Sequence, residues 1–91
     1  MYKYELYKEN KFRLYIQKIE EEFERKYEST GKKPNAILLS ENIFNFLYYA
    51  YKNMFGNIPL TENGYYKVMG LDVIIVDEDY RIECITKIKT T

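Results

Sequence analysis

The chain has 91 residues and no net charge, with 14 basic side chains against 14 acidic ones, and it carries 11 Tyr and five Phe but no Trp. One domain of this size buries about 65% of its extended-chain surface, enough for a core without disulfides or a metal. The charge balance argues against a general nucleic-acid binder, which draws most of its affinity from neutralising phosphates, and against an acidic mimic of nucleic acid.

Three further features narrow the class. Cys84 stands alone, so no internal disulfide is expected, which fits a reducing compartment. Met1 to Tyr7 is too charged, and its apolar run too short, for a signal peptide. No apolar run approaches the roughly 20 residues of a membrane span. The expectation is a cytoplasmic protein without a membrane partner.

In chain order, Tyr2, Tyr4 and Leu6 alternate with Lys3, Glu5 and Tyr7. That period reads as a short extended arm, with the start of the following helix as the alternative. Over Glu9 to Glu28, Phe12, Ile16, Ile19, Phe23 and Tyr27 recur every three or four residues and predict an amphipathic helix. Asn10 is a candidate cap. Glu21 with Arg25 and Glu22 with Lys26 are candidate pairs four residues apart. Gly31 and Pro34 end the helix.

Ala36 to Leu39 reads as a buried strand. Ser40 then caps a second helix from Glu41 to Phe55, with Glu41 complementing the helix dipole. Its apolar face of Ile43, Phe44, Leu47, Tyr51, Met54 and Phe55 is extended most of the way round by Phe46, Tyr48 and Tyr49. Such a helix is deeply buried or partly in an interface, and full burial is hard in a small domain. Phe46, Tyr48, Tyr49 and Tyr51 are therefore the candidate partner-binding residues. The ordinary alternative is a wide core face with tyrosines at its margin.

Asn57 to Gly64 is a loop by composition. Tyr65 to Met69 is a short strand, and Gly70 marks a bend or bulge. Leu71 to Val76 is apolar on both faces and predicts a central strand. Asp77 to Asp79 turns the chain into a hairpin partner over Tyr80 to Ile88, and Lys89 to Thr91 is a frayed tail. The expected fold is a single α+β domain of two amphipathic helices on a small, mostly antiparallel sheet of three to five strands.

The chemistry-bearing candidates are few. Asp77, Glu78 and Asp79, with Asp72 nearby, form the best acidic cluster, but their spacing does not match a calcium loop and a solvated turn explains them. Glu20, Glu21, Glu22 and Glu24 read as a solvated helix face. The chain has no His, the usual base beside a Ser or Cys nucleophile. Ser40 is better explained as a cap, and Cys84 as packing on an apolar strand face. Lys32 and Lys33 follow Gly31 without the upstream glycine of a phosphate loop. No catalytic residue, cofactor or metal is expected. Tyr2-Lys3-Tyr4 and Tyr65-Tyr66-Lys67 interleave aromatics with lysines in the manner of a single-stranded nucleic-acid platform, which the charge balance disfavours.

The segments P-N-A-I-L-L-S-E-N-I-F-N-F-L, from Pro34, and V-M-G-L-D-V-I-I-V-D-E, ending at Glu78, carry a family resemblance. In order and spacing they resemble the outer-lobe region of tailed-phage major capsid proteins, where a strand of the type P-N-x-I-L-L-S follows a long spine helix. Glu9 to Glu28 takes the place of that helix. Asp72 stands where the family often has Pro, and the chain has no room for the extended loop or the central lobe. The resemblance implies a fragment-like relative or another small protein of a phage or mobile element, in the host cytoplasm or on the virion. The expected role is a non-catalytic protein–protein interaction module, binding another protein or a second copy of itself. The alternatives are a small inhibitor of a host enzyme or defence complex, such as an anti-CRISPR protein, and a single-stranded nucleic-acid binder.

Overall fold

A computed structural model of the chain describes residues 2–56 and 64–88. Its first element, α1 (Tyr2–Thr30), is a 29-residue helix. The segment holds no Gly or Pro and no β-branched residue before Ile16, so nothing in its first half resists helix propagation. The extended arm expected over Met1 to Tyr7 is thereby corrected: residues 2–7 form the opening turns of α1, and Asn10 lies inside the helix instead of capping it. Gly31 ends α1 at φ 73, donating its N–H to the Tyr27 carbonyl at 2.8 Å, the left-handed stop that glycine adopts without steric cost.

After a buried Pro34 come β1 (Ala36–Ser40), α2 (Glu41–Phe55), β2 (Lys67–Val68), β3 (Leu71–Val76) and β4 (Ile82–Ile85). The two helices pack on a four-stranded sheet of order β2-β3-β1-β4. β1 runs parallel to β3, while β1–β4 and β2–β3 are antiparallel. The fold is α+β with a mostly antiparallel, mixed sheet. β1, α2 and β3 make a crossover unit into which β2 is inserted.

Two strand expectations are corrected by this topology. β4 is not the hairpin partner of β3, because β1 lies between them. Ser40 N–H donates to the Arg81 carbonyl at 3.1 Å and Arg81 N–H donates to Ser40 Oγ at 3.2 Å. The Ser40 hydroxyl therefore ties β1 to the entry of β4 and makes no cap hydrogen bond to α2. Gly70 is no bulge. Met69 at φ 50 and Gly70 at φ 80 are the two central residues of a tight hairpin turn between β2 and β3, and the paired positive φ is what a type I′ turn requires.

The core lies between the helices and one sheet face. Ile19, Ile37, Leu39, Ile43 and Cys84 are at most 1% exposed, and Phe44, Leu47, Leu71 and Val73 join them. Ile37 sits beside both Val73 and Cys84 in the register, so this face runs unbroken across three strands. β3 is not buried along its whole length as expected: alternation turns Asp72, Ile74 and Val76 to the face away from the helices, and Ile75, on the same face as Leu71 and Val73, is exposed toward the end of the strand. Leu71 and Val73 are buried, Asp72, Ile74 and Val76 are intermediate, and Ile75 is 47% exposed.

α1 also guards the sheet edge. Cys84 N–H donates to Glu22 Oε2 at 3.1 Å, while Arg25 donates to the other oxygen of the same carboxylate. Lys26 reaches Glu83 of β4 at 3.6 Å. The expected pairs Glu21–Arg25 and Glu22–Lys26 give way to these, since both partners of the second find stronger use against β4. Satisfying an outward N–H on β4 blunts an edge strand that otherwise invites pairing with another chain.

Candidate functional site

An apolar groove of about 440 Å³ opens where α1, α2 and the β2–β3 turn meet. Its lining includes the buried Leu39, Phe44, Leu47 and Val73, together with Phe12 and Ile16 of α1 and Tyr51 of α2. Lys67, Val68, Met69 and Gly70 complete it from β2 and the turn. The volume falls within the roughly 300–1,000 Å³ of ligand-sized sites. Among the described residues, Lys67 is the only charged residue of the lining and Tyr51 the only hydroxyl. That is a poor match to a polar metabolite, which needs several convergent polar groups, and a good match to apolar side chains of a protein.

Met69 is the residue that sets this groove apart from ordinary packing. It is the one non-glycine residue at positive φ among the described residues, and it is 49% exposed. A left-handed conformation costs an L-residue about 1–2 kcal/mol. Asn, Asp or Gly is the usual choice there. An unbranched, exposed thioether held in that conformation beside an apolar groove serves the fold badly, whereas methionine suits adaptable apolar recognition.

The four aromatic candidates of α2 do not form one patch. Phe46 turns toward α1, its ring 5.7 Å from that of Tyr15, with Lys11 Nζ 4.9 Å from its centroid. Tyr48 packs on the other side, against Phe44 at 5.9 Å and Tyr66 at 5.5 Å. Tyr51 lines the groove and is half-buried. Tyr49 alone is largely exposed, at 62%, with its ring edge-on to Tyr48. Only Tyr51 is thus joined to the groove. Met69 was not singled out from the sequence, because Met-Gly carries no recognised turn signature.

The other candidates resolve locally. Asp77, Glu78 and Asp79 are exposed. Glu78 binds Arg81 through both carboxylate oxygens at 3.0 Å, and its hydrogen bond, ahead of that from Glu83, pushes the Arg81 pKa up. Asp72 pairs instead with Lys87 at 2.9 Å, and Lys87 Nζ lies 4.1 Å from the Tyr65 ring centroid. Among the described residues no three His, Cys, Asp or Glu side chains are placed to hold a metal ion. Cys84 is buried and its thiol is pushed up to about 11, by burial first and then by the Glu22 charge, the opposite of a reactive thiolate. Among the described residues no helix is long and apolar enough to cross a membrane. In comparisons with known proteins, the chain matches no protein-family model, no curated protein and no solved structure.

Proposed function

We propose that this chain is a non-catalytic protein–protein interaction module, and that the groove between α1, α2 and the β2–β3 turn receives apolar side chains of its protein partner. The observation that carries this reading is Met69, an exposed apolar residue kept at φ 50 beside the groove. Backbone strain held at an exposed position points to a use outside the fold. Tyr51 supplies an aromatic wall of the same groove. The likeness of Pro34 to Asp77 to capsid outer lobes supports a phage or mobile-element origin, with the module acting in the host cytoplasm or on the virion.

Site-directed photo-crosslinking tests the reading. A photoreactive group in place of Met69, in protein expressed in the source cells, is expected to yield a covalent adduct with one partner protein. The same group in place of Glu41, on the far end of α2, is expected to yield none. Equal labelling from both positions, or no adduct from position 69, overturns the groove as the binding element.

A further inference from the structure

We infer that α1 pairs antiparallel with the α1 of a second copy of this chain. The inference is independent of the groove and rests on the charge pattern and length of α1.

The charges of α1 are segregated along its axis. Residues 2–19 carry five basic side chains against two acidic, and residues 20–30 carry five acidic against two basic. This polarity runs against the helix dipole, which favours acids near the N-terminus and bases near the C-terminus. No base occupies the last turn. The pattern does not serve the isolated helix.

The domain uses part of it. The charges turned toward the sheet are satisfied within the chain, Glu22 by Arg25 and the Cys84 N–H, and Lys26 by Glu83, while Arg13 pairs with Glu9 along the helix and Lys11 lies over the Phe46 ring. Lys18, Glu20, Glu24 and Glu28 are exposed and form no ion pair with the described residues. By helical spacing, Leu14, Lys18, Glu21 and Glu28 fall on the face opposite the core stripe of Phe12, Ile16, Ile19 and Phe23. Leu14, near the middle of α1, is 50% exposed there.

Geometry leaves this face open to a partner. At 1.5 Å per residue α1 is about 43 Å long, whereas the five-residue β1 spans about 17 Å. The molecule measures 48 × 28 × 23 Å and exposes 6903 Å², about a fifth more than the ~5,600 Å² of a typical monomer of this mass. An antiparallel pair sets the basic half of each helix against the acidic half of the other, two identical contacts about a two-fold axis. A parallel pair sets like charges together. The charge pattern therefore selects both the occupant, a second copy, and its direction.

Sedimentation equilibrium of the full chain tests this with two sets of reversals. Glu20→Lys with Glu24→Lys and Glu28→Lys turns residues 20–30 from net −3 to +3, and Arg13→Glu with Lys18→Glu turns residues 2–19 from net +3 to −1. Wild type is expected to dimerise at low salt and to dissociate as salt is raised. Each set alone is expected to weaken the dimer at least roughly tenfold, given several pairs lost at once. Both sets in one chain invert the polarity and are expected to restore the dimer. Circular dichroism melts confirm that each variant folds. A wild type that stays monomeric at low salt, or a dimer indifferent to the reversals, overturns the inference. A dimer lost only on Met69→Asp would assign self-association to the groove instead, which leaves the groove reading standing.

Discussion

Replacing Glu22 with Ala probes the seam between α1 and the sheet more sharply than any core truncation. The Glu22 side chain is 11% exposed and its carboxylate accepts the N–H of Cys84, a residue with no exposed surface, at 3.1 Å. Alanine leaves that part-buried donor without a protein acceptor, at a cost of about 1–3 kcal/mol. The lost pair with Arg25 adds little, because Arg25 is 64% exposed and such pairs contribute about 0–1 kcal/mol. For a domain of this size each kcal/mol lowers Tm by about 4–8 °C, so a loss of about 2 kcal/mol lowers it by roughly 8–16 °C. Glu22→Gln keeps an amide oxygen facing the same N–H and exchanges a charge-assisted hydrogen bond for a neutral one, at about 1 kcal/mol or less. Urea and thermal denaturation followed by circular dichroism read both values. An alanine variant within about 0.5 kcal/mol of wild type, the range of neutral surface changes, would refute the role given to Glu22, as would a glutamine variant as damaged as alanine.

Three other outcomes follow from the same packing. Tyr48→Ala is expected to destabilise the domain by about 1–3 kcal/mol, since it removes ring contacts with Phe44 and Tyr66, while Tyr49→Ala at 62% exposure is expected to change the melt by less than about 0.5 kcal/mol. Gly70→Ala is expected to cost about 1–2 kcal/mol in urea denaturation, because alanine at φ 80 is strained although nothing crowds its Cβ. The Cys84 thiol titrates near 11 in the fold against the 9.0 of a free thiol, so the folded chain holds the extra proton between these values. The stability of wild type relative to Cys84→Ala is then present below about pH 9 and falls as pH rises toward about 11. The thiol is also expected to resist thiol-directed reagents near neutral pH unless urea is present.

What the sequence made legible was the punctuation. Gly31 and Pro34 bounded the first loop, and Gly56 ended α2, its N–H bonding the Lys52 carbonyl at 2.9 Å. The helix stripe from Phe12 to Phe23 and the run at Ala36 located a third of the core. Pairing was not legible. Ile82–Ile85 alternates equally well beside β3 or β1, and its place follows from the Ser40–Arg81 and Glu22–Cys84 hydrogen bonds, which join residues 41 and 62 positions apart. The first turns of α1 were misread because a brief alternation of Tyr with charged residues fits an extended arm as well as a helix, and only continuity with the long helix decides. The surplus aromatics of α2 proved largely absorbable, Phe46 by α1 and Tyr48 by Tyr66. The loop of residues 57–63 and the tail of residues 89–91 lie outside the described residues.

The groove was hidden for a different reason. It is assembled from five separate elements and a turn, and its most telling residue is marked by its backbone angle. A Met-Gly pair reads as nothing in particular until both positions are seen at positive φ. The same angles supply a test in which fold and function respond with opposite sign.

That test is Met69→Asn, measured for stability and for binding on one preparation. Asparagine tolerates the left-handed conformation and completes the Asn-Gly pair favoured in such turns. The account predicts a melting temperature above that of wild type, by the several degrees that about 0.5–1 kcal/mol confers on a domain of this size, together with loss of the partner crosslinked from position 69. A variant that melts higher and still binds its partner as wild type does would contradict the account.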